Sequence, residues 1–184
     1  MRSSGAVSDD AGRIERFRAI YDANYAAILG YALRRAPHDD ALDVVAESFL
    51  VAWRRLDDVP VGDDARLWLY ATARRVLSNR ARSQRRRERL AARLRDRSRE
   101  QGREPELERG RVASAFGRLS VVERELLALV AWEGLSTTEV ARVLGCSTNA
   151  VRIRLYRARR NLARELEARS DDLDANPRPL PHVS

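Results

Sequence analysis

Apolar positions recur every three or four residues along most of this chain, a period that predicts an all-α protein. From Arg13 to Arg35 the spacing is kept by Ile14, Phe17, Tyr21, Tyr25, Ile28, Leu29 and Ala32, and Pro37 then forces a break. A second helix is expected from about Asp40 to Leu56, with Leu42, Val45, Phe49, Trp53 and Leu56 as its core stripe. A third opens after Gly62, Asp63 and Asp64, acidic residues suited to a helix N-terminus, and continues through Ala65, Trp68, Leu69, Thr72 and Val76. Order resumes with Val112, Ala115, Phe116 and Leu119. A capping pair, Ser120 with Glu123, then starts a helix through Leu126, Leu127 and Val130 that ends near Gly134.

The segment Leu135 to Leu162 encodes two short helices joined by a tight turn. Ser136 and Glu139 form another capping box, Gly145 supplies a left-handed stop, and Ser147 caps the helix that follows. On that last helix Val151, Leu155, Ala158 and Leu162 make one stripe for burial. Arg152, Tyr156 and Arg159 lie outside it, flanked by Arg157 and Arg160, with Thr148 and Asn149 at the positive end of the helix. Arginine forks suit guanine edges and phosphate oxygens, and small polar residues at a helix N-terminus suit phosphates. An ordinary solvated basic face would show the same arginines, but the preceding helix and turn favour contact with DNA.

Two other faces carry chemistry. On the second helix Asp43 and Glu47 lie one turn apart beside Val44, Leu50 and Val51, a mixture of carboxylates and aliphatics that suits protein docking unless a neighbouring helix covers the valines. On the third, Tyr70, Arg74, Ser78 and Arg82 run into Arg85, Arg86 and Arg87. Aromatics among arginines can stack unpaired bases while holding their phosphates, although Tyr70 could equally sit at the edge of the core.

Between Leu94 and Arg109 the chain is charged almost throughout, contains Gly102 and Pro105, and cannot bury a core. The expected organisation is a disordered tail over residues 1–12, a helical domain over 13–92, a flexible linker over 93–110, a second helical domain with the helix-turn-helix over 111–168, and a disordered tail over 169–184.

Charge sharpens this picture. All 35 basic residues are arginine and the net charge is +8. Residues 1–64 hold 8 arginines against 12 acids, residues 65–112 hold 16 against 6, and residues 113–184 hold 11 against 9, so the positive charge is focused mid-chain, where it can follow a phosphate backbone. The single cysteine, Cys146, excludes an intrachain disulfide and a cysteine-based metal cluster. With His38 and His182 isolated, no catalytic constellation assembles, so neither catalytic residues nor a metal or other cofactor is expected. Neither a membrane-spanning run nor a signal-peptide core is present, which points to the cytoplasm.

The run D-V-V-A-E-S-F-L-V-A-W-R-R-L (Asp43 to Leu56), then W-L-Y-A-T-A-R-R-V-L-S-N (Trp68 to Asn79), then the helix-turn-helix, resembles in this order the bacterial sigma factors of the extracytoplasmic-function (ECF) group, across roughly residues 13–167. The resemblance implies a promoter-specificity subunit of RNA polymerase with region 2 and region 4 domains and no enzymatic activity of its own. It implies that Asp43, Val44, Glu47 and Val51 dock on core polymerase. It also implies that Trp68, Tyr70, Arg74, Arg75, Ser78, Asn79 and Arg82 serve minus-ten recognition and melting, and that Thr148, Asn149, Arg152, Ile153, Tyr156 and Arg157 face the minus-thirty-five element. Arg75 stands where the family usually has asparagine, and Ile153 where it often has a small polar residue. The implied partners are core RNA polymerase and promoter DNA, with an anti-sigma factor as a further candidate and no small-molecule substrate. The competing class is a conventional helix-turn-helix regulator whose N-terminal bundle dimerises or binds a ligand, which would read a palindromic site.

Overall fold

The computed structural model describes residues 4–94 and 110–174, and among them every regular element is helical. The elements are α1 (Ser4–Leu33), α2 (His38–Arg54), a single 3-10 turn (Leu56–Asp58), α3 (Asp64–Leu94), α4 (Arg111–Arg118), α5 (Val121–Ala131), α6 (Thr137–Leu144) and α7 (Thr148–Asp174). They fall into two compact units, the first built on α1 to α3 and the second on α4, α5, most of α6 and α7.

In the first unit α2 packs against both α1 and α3. Ala41, Val44, Val45, Ser48, Phe49 and Ala52 of α2 are all buried, a face wider than one helix contact would need. Phe49 anchors an aromatic cluster: its ring lies 4.6 Å from that of Tyr21, 6.4 Å from Phe17 and 6.4 Å from Tyr25, while Trp53 meets Phe17 edge-on at 5.3 Å. Ile28, Tyr31, Leu56, Val59 and Leu69 complete the core. Arg16 ties the following loop to α1 by donating to the Val59 carbonyl at 2.7 Å. Leu42, expected in the core stripe, is exposed instead, because the buried face of α2 is centred on Val44, Val45 and Ser48.

The second unit buries Ala115, Leu119, Leu126, Leu129, Leu135, Val140, Val151, Leu155 and Ala158. The capping box at α5 is present. Ser120 Oγ accepts from the Glu123 N–H at 3.3 Å, and a Glu123 carboxylate oxygen accepts from the Ser120 N–H at 2.9 Å.

Three boundaries differ from expectation. Residues 4–12, expected as part of a tail, belong to α1, since no proline interrupts the chain before Pro37 and a helix seated on the aromatic cluster extends upstream at one hydrogen bond per residue. Likewise α7 continues through residues 169–174 to Asp174, short of the first proline of the C-terminal segment, Pro177. The third helix reaches Leu94, past the expected domain end at 92. The rest of the expected linker, residues 95–109, and the tail residues 175–184 lie outside the described residues.

Candidate nucleic-acid and polymerase interfaces

The helix-turn-helix is specified by backbone chemistry at each joint. At the start of α6, Ser136 Oγ accepts from the Glu139 N–H at 3.3 Å and the Glu139 carboxylate accepts from the Ser136 N–H at 2.8 Å. At its end Gly145 takes φ +65°, and the Cys146 N–H reaches back to the Ala141 carbonyl at 3.0 Å, the long bond of a Schellman stop. A side chain at Gly145 would meet nothing within 4 Å, so it is the left-handed backbone, not space, that requires glycine there. Ser147 Oγ then accepts from the Ala150 N–H at 3.2 Å and launches α7.

On α7 the buried positions Val151, Leu155 and Ala158 fix which residues face out. Asn149, Arg152, Ile153, Tyr156 and Arg157 are exposed, Ile153 by 46% and Tyr156 by 66%, while Thr148 is half-buried. Among the described residues the guanidinium groups of Arg152 and Arg157 engage no ion pair. The expected face is thus assembled on one helix.

The arginine-rich part of α3 sorts less simply. Arg75, Ser78, Asn79 and Arg82 are exposed at spacings of three, one and three residues, and Arg74 is half-buried beside them. Arg82 donates to Asn79 Oδ1 at 2.9 Å and to the Ser78 carbonyl at 3.3 Å, which lays its guanidinium along this face. Trp68 is half-buried. Tyr70 departs from expectation: it is only 3% exposed and its ring packs 5.2 Å from that of Tyr31, so it is a core residue and offers no platform to a base.

The acidic face of α2 is corrected in the same way. Asp43 and Glu47 are exposed and Val51 is half-buried, but Val44 is fully buried and donates nothing to a surface. Its burial follows from the seat of α2 between two neighbouring helices. A residue that sequence reasoning missed occupies this face. Arg80 of α3 places Nη1 3.2 Å from Asp43 and 3.7 Å from Asp40, and Nε 3.5 Å from Glu47. Nothing in the periodicity of α3 pairs position 80 with position 43. No group of histidine, cysteine or acidic side chains among the described residues has the arrangement of a metal site. No described helix is long and apolar enough to cross a membrane.

A helix-turn-helix with an exposed arginine face, joined in sequence to a second helical unit with its own arginine-bearing helix, defines an all-helical DNA-binding protein. Comparison with known proteins narrows the class. Residues 20–87 match Sigma-70 region 2 and residues 109–162 match Sigma-70, region 4. The ECF RNA polymerase sigma factor SigL of Mycobacterium tuberculosis is 33% identical over 174 residues, covering 90% of this chain and 96% of SigL. The RNA polymerase sigma factor CnrH of Cupriavidus metallidurans is 35% identical over 148 residues, covering 73% of this chain and 78% of CnrH. Among solved structures, CnrH in complex with the cytosolic domain of CnrY superposes with a TM-score of 0.55 at 31% identity, covering 83% of this chain and 88% of that one. The sigma factor RpoE of Bartonella quintana, in complex with the anti-sigma factor NepR, shares the fold with a TM-score of 0.64 at 23% identity, covering 82% and 96%. This chain belongs to the sigma-70 family, as an ECF RNA polymerase sigma factor. Its role is that of a transcription initiation factor.

Proposed function

We propose that the chain divides this role among three helices. The outer face of α7, with Asn149, Arg152, Ile153, Tyr156 and Arg157 directed away from the buried stripe and Thr148 at its N-terminus, reads the upstream promoter element. That face is the observation that carries the reading, because an arginine-bearing helix presented by a helix-turn-helix is the geometry that enters a major groove. Arg74, Arg75, Ser78, Asn79 and Arg82 of α3 hold the melted strand by its phosphates, with half-buried Trp68 supporting them. Asp43 and Glu47, with Val51 beside them, dock on core polymerase.

On this reading the protein forms no phosphodiester bond. Polymerase supplies the chemistry, and the sigma factor supplies sequence recognition and stabilises the opened duplex. It acts where polymerase and chromosome are, in the cytoplasm, and needs no cofactor. CnrH is solved in complex with the cytosolic domain of CnrY and RpoE with the anti-sigma factor NepR, and an anti-sigma factor is the proposed regulatory partner of this chain. The test is transcription in vitro with purified core polymerase and a genomic promoter library, together with capture of core by the wild type and by the Asp43→Arg, Glu47→Arg double variant. Promoter-selective transcripts, and weakened capture by a double variant of unchanged helical content, are the expected result. A stable homodimer that binds a palindrome without core polymerase would replace the reading with that of a conventional regulator.

A further inference from the structure

The acidic face of α2 is already occupied in the free chain. Asp40, Asp43 and Glu47 follow one another at spacings of three and four residues, so they share one side of the helix, and all converge on the guanidinium of Arg80. None of the contacts is a short two-pronged fork. Nη1 is divided between Asp43 at 3.2 Å and Asp40 at 3.7 Å, and Nε lies 3.5 Å from Glu47. The Arg80 side chain is 37% exposed and each carboxylate more so, which lets water and salt screen the cluster and makes these contacts weak. One cation among three anions leaves an excess of negative charge that still attracts cations.

We propose that Arg80 is an internal competitor for the polymerase-docking face. It occupies in the free chain the position that a lysine or arginine side chain of core polymerase takes in the complex. The inference rests on the docking role assigned above to Asp43 and Glu47. Docking exchanges one guanidinium for another cation, so part of the attraction between partners is cancelled in advance by the chain itself.

The test is a titration of fluorescently labelled full-length protein with core RNA polymerase at several salt concentrations. Arg80→Gln binds core about 2-fold to 5-fold more tightly than the wild type at low salt, the range expected from removing a screened competitor. The gain shrinks as salt rises. Arg80→Lys, which keeps the charge, binds close to wild type. In an Asp43→Asn, Glu47→Gln background, core binding is weaker and Arg80→Gln brings no gain. Should Arg80→Gln fail to fold by circular dichroism, Arg80→Met makes the same charge removal. Equal or weaker core binding by the Arg80 variant overturns the proposal while the docking role stands, and so does a gain that persists without the two carboxylates. Wild-type affinity in the Asp43→Asn, Glu47→Gln protein removes the docking role itself, and the competitor with it.

Discussion

Tyr31 of α1 and Tyr70 of α3 meet inside the first unit with ring centroids 5.2 Å apart and planes inclined by 47°. This contact assigns Tyr70 to packing between α1 and α3. Tyr70→Ala therefore costs stability before anything else, by about 3–5 kcal/mol as for other large aromatic truncations in a core. Urea unfolding followed by near-UV circular dichroism measures the loss. A variant of unchanged stability that opened promoters poorly would instead return Tyr70 to the DNA.

On the proposed reading, promoter opening falls to the arginines on α3. Holoenzyme carrying Arg74→Ala and Arg75→Ala binds duplex promoter but opens it poorly, and transcription recovers on a template with a pre-melted mismatch bubble. Permanganate reactivity of thymines around the start site reports the opening directly. Wild-type reactivity in this variant would show that the segment takes no part in melting.

On the proposed reading, the exposed arginines of α7 divide between base and phosphate. A base-reading arginine, once truncated, costs roughly 1–3 kcal/mol and relaxes preference at its own position, whereas a phosphate contact weakens every sequence alike. Arg152→Ala and Arg157→Ala, each assayed as holoenzyme on a promoter series, separate the two roles. Unaltered transcription in both would remove α7 from DNA reading.

Acid reaches the second unit through Glu123. Hydrogen bonds from the Ser120 hydroxyl and the Ser120 N–H, then one from Asn161, and the nearby charge of Arg164 hold its carboxyl below the ordinary value of 4.5. A folded-state pKa below the unfolded one gives stability that is complete above about 4.5 and is lost as pH falls through the lower folded value. Glu123 is half-buried at the protein surface, where solvent screening keeps the effect small. Thermal unfolding of wild type and Glu123→Gln should therefore keep a full gap above pH 4.5, with the wild type the more stable, and converge as pH falls from there through the lower folded value. A gap that stayed constant across this range would mean the carboxylate charge is not what stabilises the cap.

Legibility in the sequence followed the range of each interaction. The joints of the helix-turn-helix were readable because Ser136 with Glu139, Gly145 and Ser147 act within a few residues of themselves. Which face of α7 points outward was equally readable, since Val151, Leu155 and Ala158 leave one buried stripe. Val44 and Tyr70 were misassigned because periodicity gives the direction of a side chain but not the number of neighbours a helix has. Each lies beyond the narrow stripe that one contact would bury, and α2 and α3 each pack against two helices of the unit. Arg80 was invisible for a related reason: its three anions lie 33 to 40 positions away in sequence, and only the packing of α2 on α3 brings them together.

The faces of α3 and α7 take all their positive charge from arginine, and guanidinium keeps its proton throughout the range in which a protein stays folded. A lysine surface would begin to neutralise as alkalinity approached the ammonium pKa, loosening its hold on phosphate. Here alkalinity has no such lever. If these faces hold nucleic acid as proposed, their cationic grip is a fixed background, which a competing anion or a bound protein modulates and the removal of a proton does not.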